Sequence, residues 1–135
     1  MYKCPTKRPD KPLSIAEVLA VLQQYFLDGP EVPPRCIESS GRCVYAPRGN
    51  ALGCAVGIFL TVEDAMTLDH LRGSIRQFFG VAGFTQAQEI LRIYFNFDEQ
   101  GMFDLLCAAQ RVHDHGDPKR LREGMAQVIG QYKTS

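Results

Sequence analysis

The groups in this chain able to do chemistry are five cysteines, at positions 4, 36, 43, 54 and 107, the adjacent pair His113-Asp114, and a cluster of basic residues near the carboxyl end. Cys54 opens the segment Cys54-Ala55-Val56-Gly57-Ile58-Phe59-Leu60, which suits a buried strand or a buried helix. In the helical reading Ala55, Ile58 and Phe59 share a face, and free backbone amides at the helix start would favour the Cys54 thiolate. An imidazole from His113, oriented by the carboxylate of Asp114, would complete a nucleophilic site. These residues lie far apart in sequence, so only tertiary packing can unite them. The competing role for Cys54 is a small buried hydrophobe, with His113 closing a helix.

Cys36, Cys43 and Cys54, joined by His113 and His115, are the other set with chemical potential, a tetrahedral zinc shell. Structural zinc sites draw ligands in pairs about two to four residues apart, whereas six and ten residues separate these cysteines. His113 and His115 also fall on different faces of a helix. No metal and no cofactor is assigned. An odd number of cysteines with no export signal ahead of the first helix predicts reduced thiols in the cytoplasm.

Lys+Arg and Asp+Glu are equal at 15 each, which argues against a polybasic nucleic-acid binder. Arg111, Lys119, Arg120 and Arg122 form a local basic set. However, Tyr94, Phe95, Phe97 and Phe103 stand beside Asp98, Glu99 and Asp104, so aromatic and basic residues do not interleave as a stacking groove requires. A solvated helix face accounts for the arginines. The glycines between positions 49 and 57 lack the lysine and Ser/Thr ending of a phosphate loop. The longest apolar stretch, residues 51–62, is too short to cross a bilayer.

The elements that must position these groups are mostly helices. Ser14-Ile15-Ala16-Glu17 reads as a capping box, and Ile15, Val18, Leu19, Leu22 and Phe26 recur at helical spacing until Asp28-Gly29-Pro30. Residues 1–12 carry Lys3, Lys7, Arg8, Lys11 and three prolines, predicting an extended, mobile basic arm ahead of a single globular domain over 13–135. Arg42-Cys43-Val44-Tyr45 predicts a short strand, the one small β element near residues 36–60. Thr61 with Glu63 and Asp64 suits a helix start, followed by one amphipathic stripe of Leu68, Leu71, Ile75, Phe78 and Phe79.

Thr85 and Gln88 read as a second capping box and Asp98 as the cap of the following helix, whose stripe includes Leu105, Leu106, Ala109 and His113. Asp117-Pro118 starts the last helix, with Leu121, Met125, Val128 and Ile129 inward. The expectation is a mostly α, single compact domain of four to six helices. Its core would contain Leu19, Leu22, Leu71, Ile75, Leu91, Leu106, Val128 and Ile129. Phe95 and Phe97 crowd the corner before Asp98. A ring left exposed there is a candidate anchor for a protein partner or for self-association.

Gly41-Arg42-Cys43-Val44-Tyr45, then Gly53-Cys54-Ala55-Val56-Gly57, then the acidic start at 61–64 resemble blocks of a family of short uncharacterised bacteriophage and prophage proteins. Gly73-Ser74-Ile75 and the run from Leu105 to His113-Asp114 resemble that family's later blocks, in the same order. Arg72 departs from the pattern, which has an acid before the glycine. The resemblance implies origin in a mobile element and action in the bacterial cytoplasm; it implies no activity. Small size, neutral charge and the want of a catalytic motif point to an interaction protein, a modulator of a host or defence protein. The alternatives are a cysteine-dependent enzyme using Cys54, His113 and Asp114, and third a structural zinc module.

Overall fold

Ser14 starts the first helix as its sequence predicts. Its hydroxyl accepts from the Glu17 amide and the Glu17 carboxylate accepts from the Ser14 amide, satisfying two donors that a helix start leaves open. Helix α1, Ile15–Leu22, buries Ile15, Val18, Leu19 and Leu22. It continues as a wider π-helical turn, Gln23–Leu27, that sets Phe26 in the core and ends at Asp28. A computed structural model describes residues 2–31, 33–34, 44–48, 51–80 and 82–133, and its regular elements are mostly helical.

After α1 come α2 (Val62–Leu71), α3 (Ile75–Gly80), α4 (Thr85–Tyr94), α5 (Met102–His115) and α6 (Leu121–Lys133). Helix α6 packs against α5, α1 and the π-helical turn, while α3 joins α4 to α5 and α2 rests on α4. One continuous apolar core runs through both groups. Seven of the eight expected core residues are buried, and Leu71 packs against that core half-exposed. Asp117 caps the entry to α6, accepting from the Lys119 amide ahead of a short 3-10 turn, Pro118–Arg120.

Several local expectations give way to tertiary contacts. The stripe from Leu68 to Phe79 is carried by two helices, because Arg72 turns left-handed (φ 58°) and ends α2. Gly73 follows it, and a Cβ there would stand 2.7 Å from the Phe78 ring, so the chain can bend tightly only with a glycine at this point. Ser74 and Gln77 then form an unforeseen reciprocal cap at α3. Thr85 caps nothing: Phe84 precedes α4 without a side-chain cap, and Gln88 donates instead to the Phe78 carbonyl at 2.7 Å. Asp98 is not the α5 cap either. Gly101 (φ 97°) holds that position, and Glu99 reaches across to accept from the Ile15 amide at 2.8 Å.

The expected β element is reduced, among the described residues, to an isolated antiparallel bridge between Arg48 and Ala51. Arg42 and Cys43 lie outside the described residues, and Val44-Tyr45 is not a strand. The segment at Cys54 is a turn leading into one 3-10 turn, Gly57–Phe59, rather than an α-helix. Residues 2–12 contain no helix and are bonded to the body. Tyr2 donates to the Ile58 carbonyl, Cys4 to that of Leu52, and Arg8 pairs with Asp64 through two 2.9 Å bonds. Leu13 closes the segment by bridging to Phe95.

Candidate functional site

Two glycines explain where Cys54 sits. A Cβ on Gly57 would lie 2.0 Å from the Tyr45 carbonyl oxygen, and one on Gly53 (φ 141°) would lie 2.4 Å from it. The turn is therefore pressed onto the backbone at Tyr45, and only glycine fits at either point. The Cys54 amide donates to the Val44 carbonyl, and the Gly57 amide donates to Cys54 Sγ at 3.3 Å. The thiol is 2% exposed and borders a cleft of about 410 Å³ whose walls include Tyr45, Asp69, Arg72, Gln110 and Asp114.

The cleft wall is a polar network whose members satisfy one another. Tyr45 donates its hydroxyl to the Gly73 carbonyl at 2.8 Å and accepts from Gln110 Nε2 at 3.0 Å, while Gln110 Oε1 accepts from the Ile75 amide. Asp69 accepts from the amides of Tyr45 and Ala46 at 2.7 and 3.0 Å. Burial pushes the Tyr45 phenol well above its usual range, so it stays a neutral donor. The network ties the loop at 45–46 to α2, α3 and α5.

His113 is fully buried in the last turn of α5, its ring edge-on to Phe26. Its Nδ1 is 2.8 Å from Asp114 Oδ1, and its Nε2 is buried with no hydrogen-bond partner. The fold thus places Asp114 and Cys54 on one cleft and lets Asp114 hold the imidazole. It makes no bond between the Cys54 thiol and His113. Cys36 and Cys43 lie outside the described residues, and among the described residues no three metal-binding side chains converge. Burial raises the thiols of Cys4 and Cys107 above the ordinary cysteine value, which keeps them protonated.

At the aromatic corner Phe95 is 1% exposed and belongs to the core, edge-on to Phe59. Phe97 is half-buried, its ring centre 4.9 Å from that of Phe79. Any contact with a partner at this corner would fall to Phe97.

The exposed apolar surface lies elsewhere. Val62 and Met66, four residues apart on α2, are 46% and 59% exposed and are the large apolar side chains that stand out to solvent among the described residues. They line a broad groove of about 720 Å³ together with Ala46, Pro47, His70 and Arg72. Asp69 and Arg72 border both this groove and the Cys54 cleft, so the two are neighbours. Sequence reasoning followed the inward residues of α2. Val62 and Met66, four apart and off the stripe of Ala65 and Leu68, were the available sign of a second apolar face.

At the other side of α2, Asp64 is 5% exposed and is met by Arg8 and by the Tyr94 hydroxyl. The Arg8 guanidinium holds its carboxyl below the usual range, while burial raises the Tyr94 phenol. Compared with known proteins, the chain matches no family model, no curated protein and no solved structure. Among the described residues no helix is long and apolar enough to cross a membrane.

Proposed function

We propose that this chain is an interaction protein whose binding face is the outer side of α2. The observation that carries this role is the exposure of Val62 and Met66 on a helix that is held in the core through Ala65 and Leu68. Covering the roughly half of each side chain still exposed contributes about half of the roughly 1.5–3 kcal/mol that full burial gives, so the two together make an anchor. Small size, balanced charge and the want of a catalytic motif, with the mobile-element origin that the resemblance implies, favour a modulator of a host or defence protein.

Met66→Asp tests this role, with pull-down from bacterial lysate and light scattering as readouts. The substitution is expected to abolish whatever association the unaltered protein shows. An exposed position costs only about 0.5 kcal/mol or less, so the thermal midpoint should hardly move. Association unchanged by Met66→Asp and Val62→Asp alike would exclude α2 as the binding face.

A cysteine-dependent reaction at Cys54 has one observation in its favour, the Gly57 amide directed at the sulfur on a cleft wall. Iodoacetamide distinguishes the two. Cys54, nearly fully buried, should label more slowly than the half-exposed Cys4 in native protein; faster labelling, slowed by His113→Ala, would move the function into the cleft.

A further inference from the structure

We infer that residues 2–13 act as a releasable strap on the Cys54 turn, so that access to the buried thiol is set from the amino-terminal arm. Four points fix the strap. Tyr2 donates its hydroxyl to the Ile58 carbonyl, Cys4 donates to the Leu52 carbonyl at 3.5 Å, and Arg8 meets both Asp64 oxygens at 2.9 Å. Leu13 closes it, its amide donating to the Tyr94 carbonyl and its carbonyl accepting from the Asn96 amide. The first two points bracket the turn. Leu52 stands immediately before Gly53 and Ile58 immediately after Gly57, with Cys54 between them.

The turn needs a clamp because of what lets it form. Gly53 and Gly57 are pressed on the Tyr45 backbone, and the missing Cβ that permits this approach also leaves the chain free to move away. The Cys54 amide, bonded to the Val44 carbonyl, holds the middle of the turn. The arm adds a hold at each end. The Leu52 amide donates to the Tyr25 hydroxyl at 2.9 Å, and the Tyr25 ring stands edge-on to Tyr2 at 5.7 Å, so both backbone groups of Leu52 are engaged. The strap itself is weaker than the core. Its backbone first bonds into the body at Leu13, and the guanidinium that anchors its middle is 53% exposed. Local opening of such a segment requires far less free energy than global unfolding. Pro5, Pro9 and Pro12 limit the freedom regained on release, so a few bonds suffice to dock it. Release of the arm therefore precedes unfolding of the bundle, and it frees the Leu52 and Ile58 carbonyls that steady the turn.

The experiment follows iodoacetamide labelling of Cys54 and Cys107 in native full-length protein by peptide mass spectrometry, with reagent dilute enough that the rate reports the open population. A Cys4→Ser background keeps a donor to Leu52 and prevents alkylation of the arm from loosening the strap. Cys107 is 7% exposed on α5, and its charged neighbours are Arg76, Asp104 and Arg111 rather than the arm, so it reports opening of the bundle. Tyr2→Phe removes the bond to Ile58 and keeps the ring; Arg8→Ala removes the ion pair. Each should speed Cys54 labelling about two- to fivefold, and the double variant by about the product, with Cys107 unchanged. Added salt should speed Cys54 labelling in the background protein and not in Arg8→Ala. A Cys54 rate that none of these changes would overturn the strap, leaving the turn held by its own packing. Equal acceleration of Cys54 and Cys107 would overturn it as well, since the arm would then be part of the cooperative fold. Both outcomes leave the α2 binding face standing, which Met66→Asp tests separately.

Discussion

The two sides of this molecule are stabilised in different ways. On one side α1, α5 and α6 pack through long apolar stripes, and the side chains that matter repeat at helical spacing. On the other, residues 44–48 and 51–60 have little regular structure and are fixed by single contacts. These are two glycines against Tyr45, a carboxylate on two amides, and a phenol between Gly73 and Gln110. A bundle distributes its stability over many methyl groups, so each replacement is graded. A loop held by a few polar bonds concentrates its stability, and each bond left open exposes a buried donor. The candidate surfaces lie on the second side, where position depends on exact contacts.

Removing a large part of one stripe should have the greatest effect. Leu22→Ala, at a fully buried α1 position, is expected to cost about 2–5 kcal/mol in denaturant unfolding. Smaller loss there than in any loop variant would reverse the contrast between the two sides.

Next in size is Asp69→Ala, which leaves the Tyr45 and Ala46 amides without their acceptor. A cost of about 1–3 kcal/mol is expected, with hydrogen exchange quickening at 44–46 while α5 and α6 stay protected. Uniform loss of protection would mean that loop and bundle unfold as one.

Acid should act on the arm. Asp64 has a folded pKa held below its unfolded value of about 4, first by the Arg8 hydrogen bond. Its contribution is present above that unfolded value and lost as pH falls through the folded one. Arg8 remains 53% exposed, so the pair contributes about 1 kcal/mol or less. Unfolding curves of the wild type and Asp64→Asn should differ at neutral pH and converge on acidification; a constant gap would remove the ion pair from the account.

The smallest effect has the opposite sign. Arg72→Gly should stabilise the chain by about 0.5–1 kcal/mol, since glycine adopts the left-handed turn without the steric penalty but with more unfolded freedom to lose. A lowered midpoint would mean that the arginine side chain itself supports the fold.

Much of the bundle was legible before any coordinates. Ser14 with Glu17, and Asp117 before Pro118, announce helix starts through groups only a few residues apart. The inward stripes of α1, α4, α5 and α6 follow from period alone. Thr85 and Asp98 show where that logic fails. Both have the right side chain for a cap, yet Phe84 and Gly101 take those positions because α4 and α5 are set by packing on the rest of the core. The site was harder to read. Cys54 and Asp114 do meet one cleft, whereas the exposed pair Val62 and Met66 lies off the inward stripe that period reveals.

What the sequence by itself determined is the helical class, the helix starts at Ser14, Thr61 and Asp117, and the core positions of the helical stripes, because capping and amphipathic period depend on close neighbours along the chain. Tertiary structure alone decided that the helix run breaks at Arg72 and that Phe95 turns inward. It also decided that His113 is buried without a bond to Cys54, and that one face of α2 is left open to solvent. The burial of Phe95 and His113 depends on groups distant in sequence, Phe59 against the one ring and Phe26 against the other, whose positions no local pattern encodes.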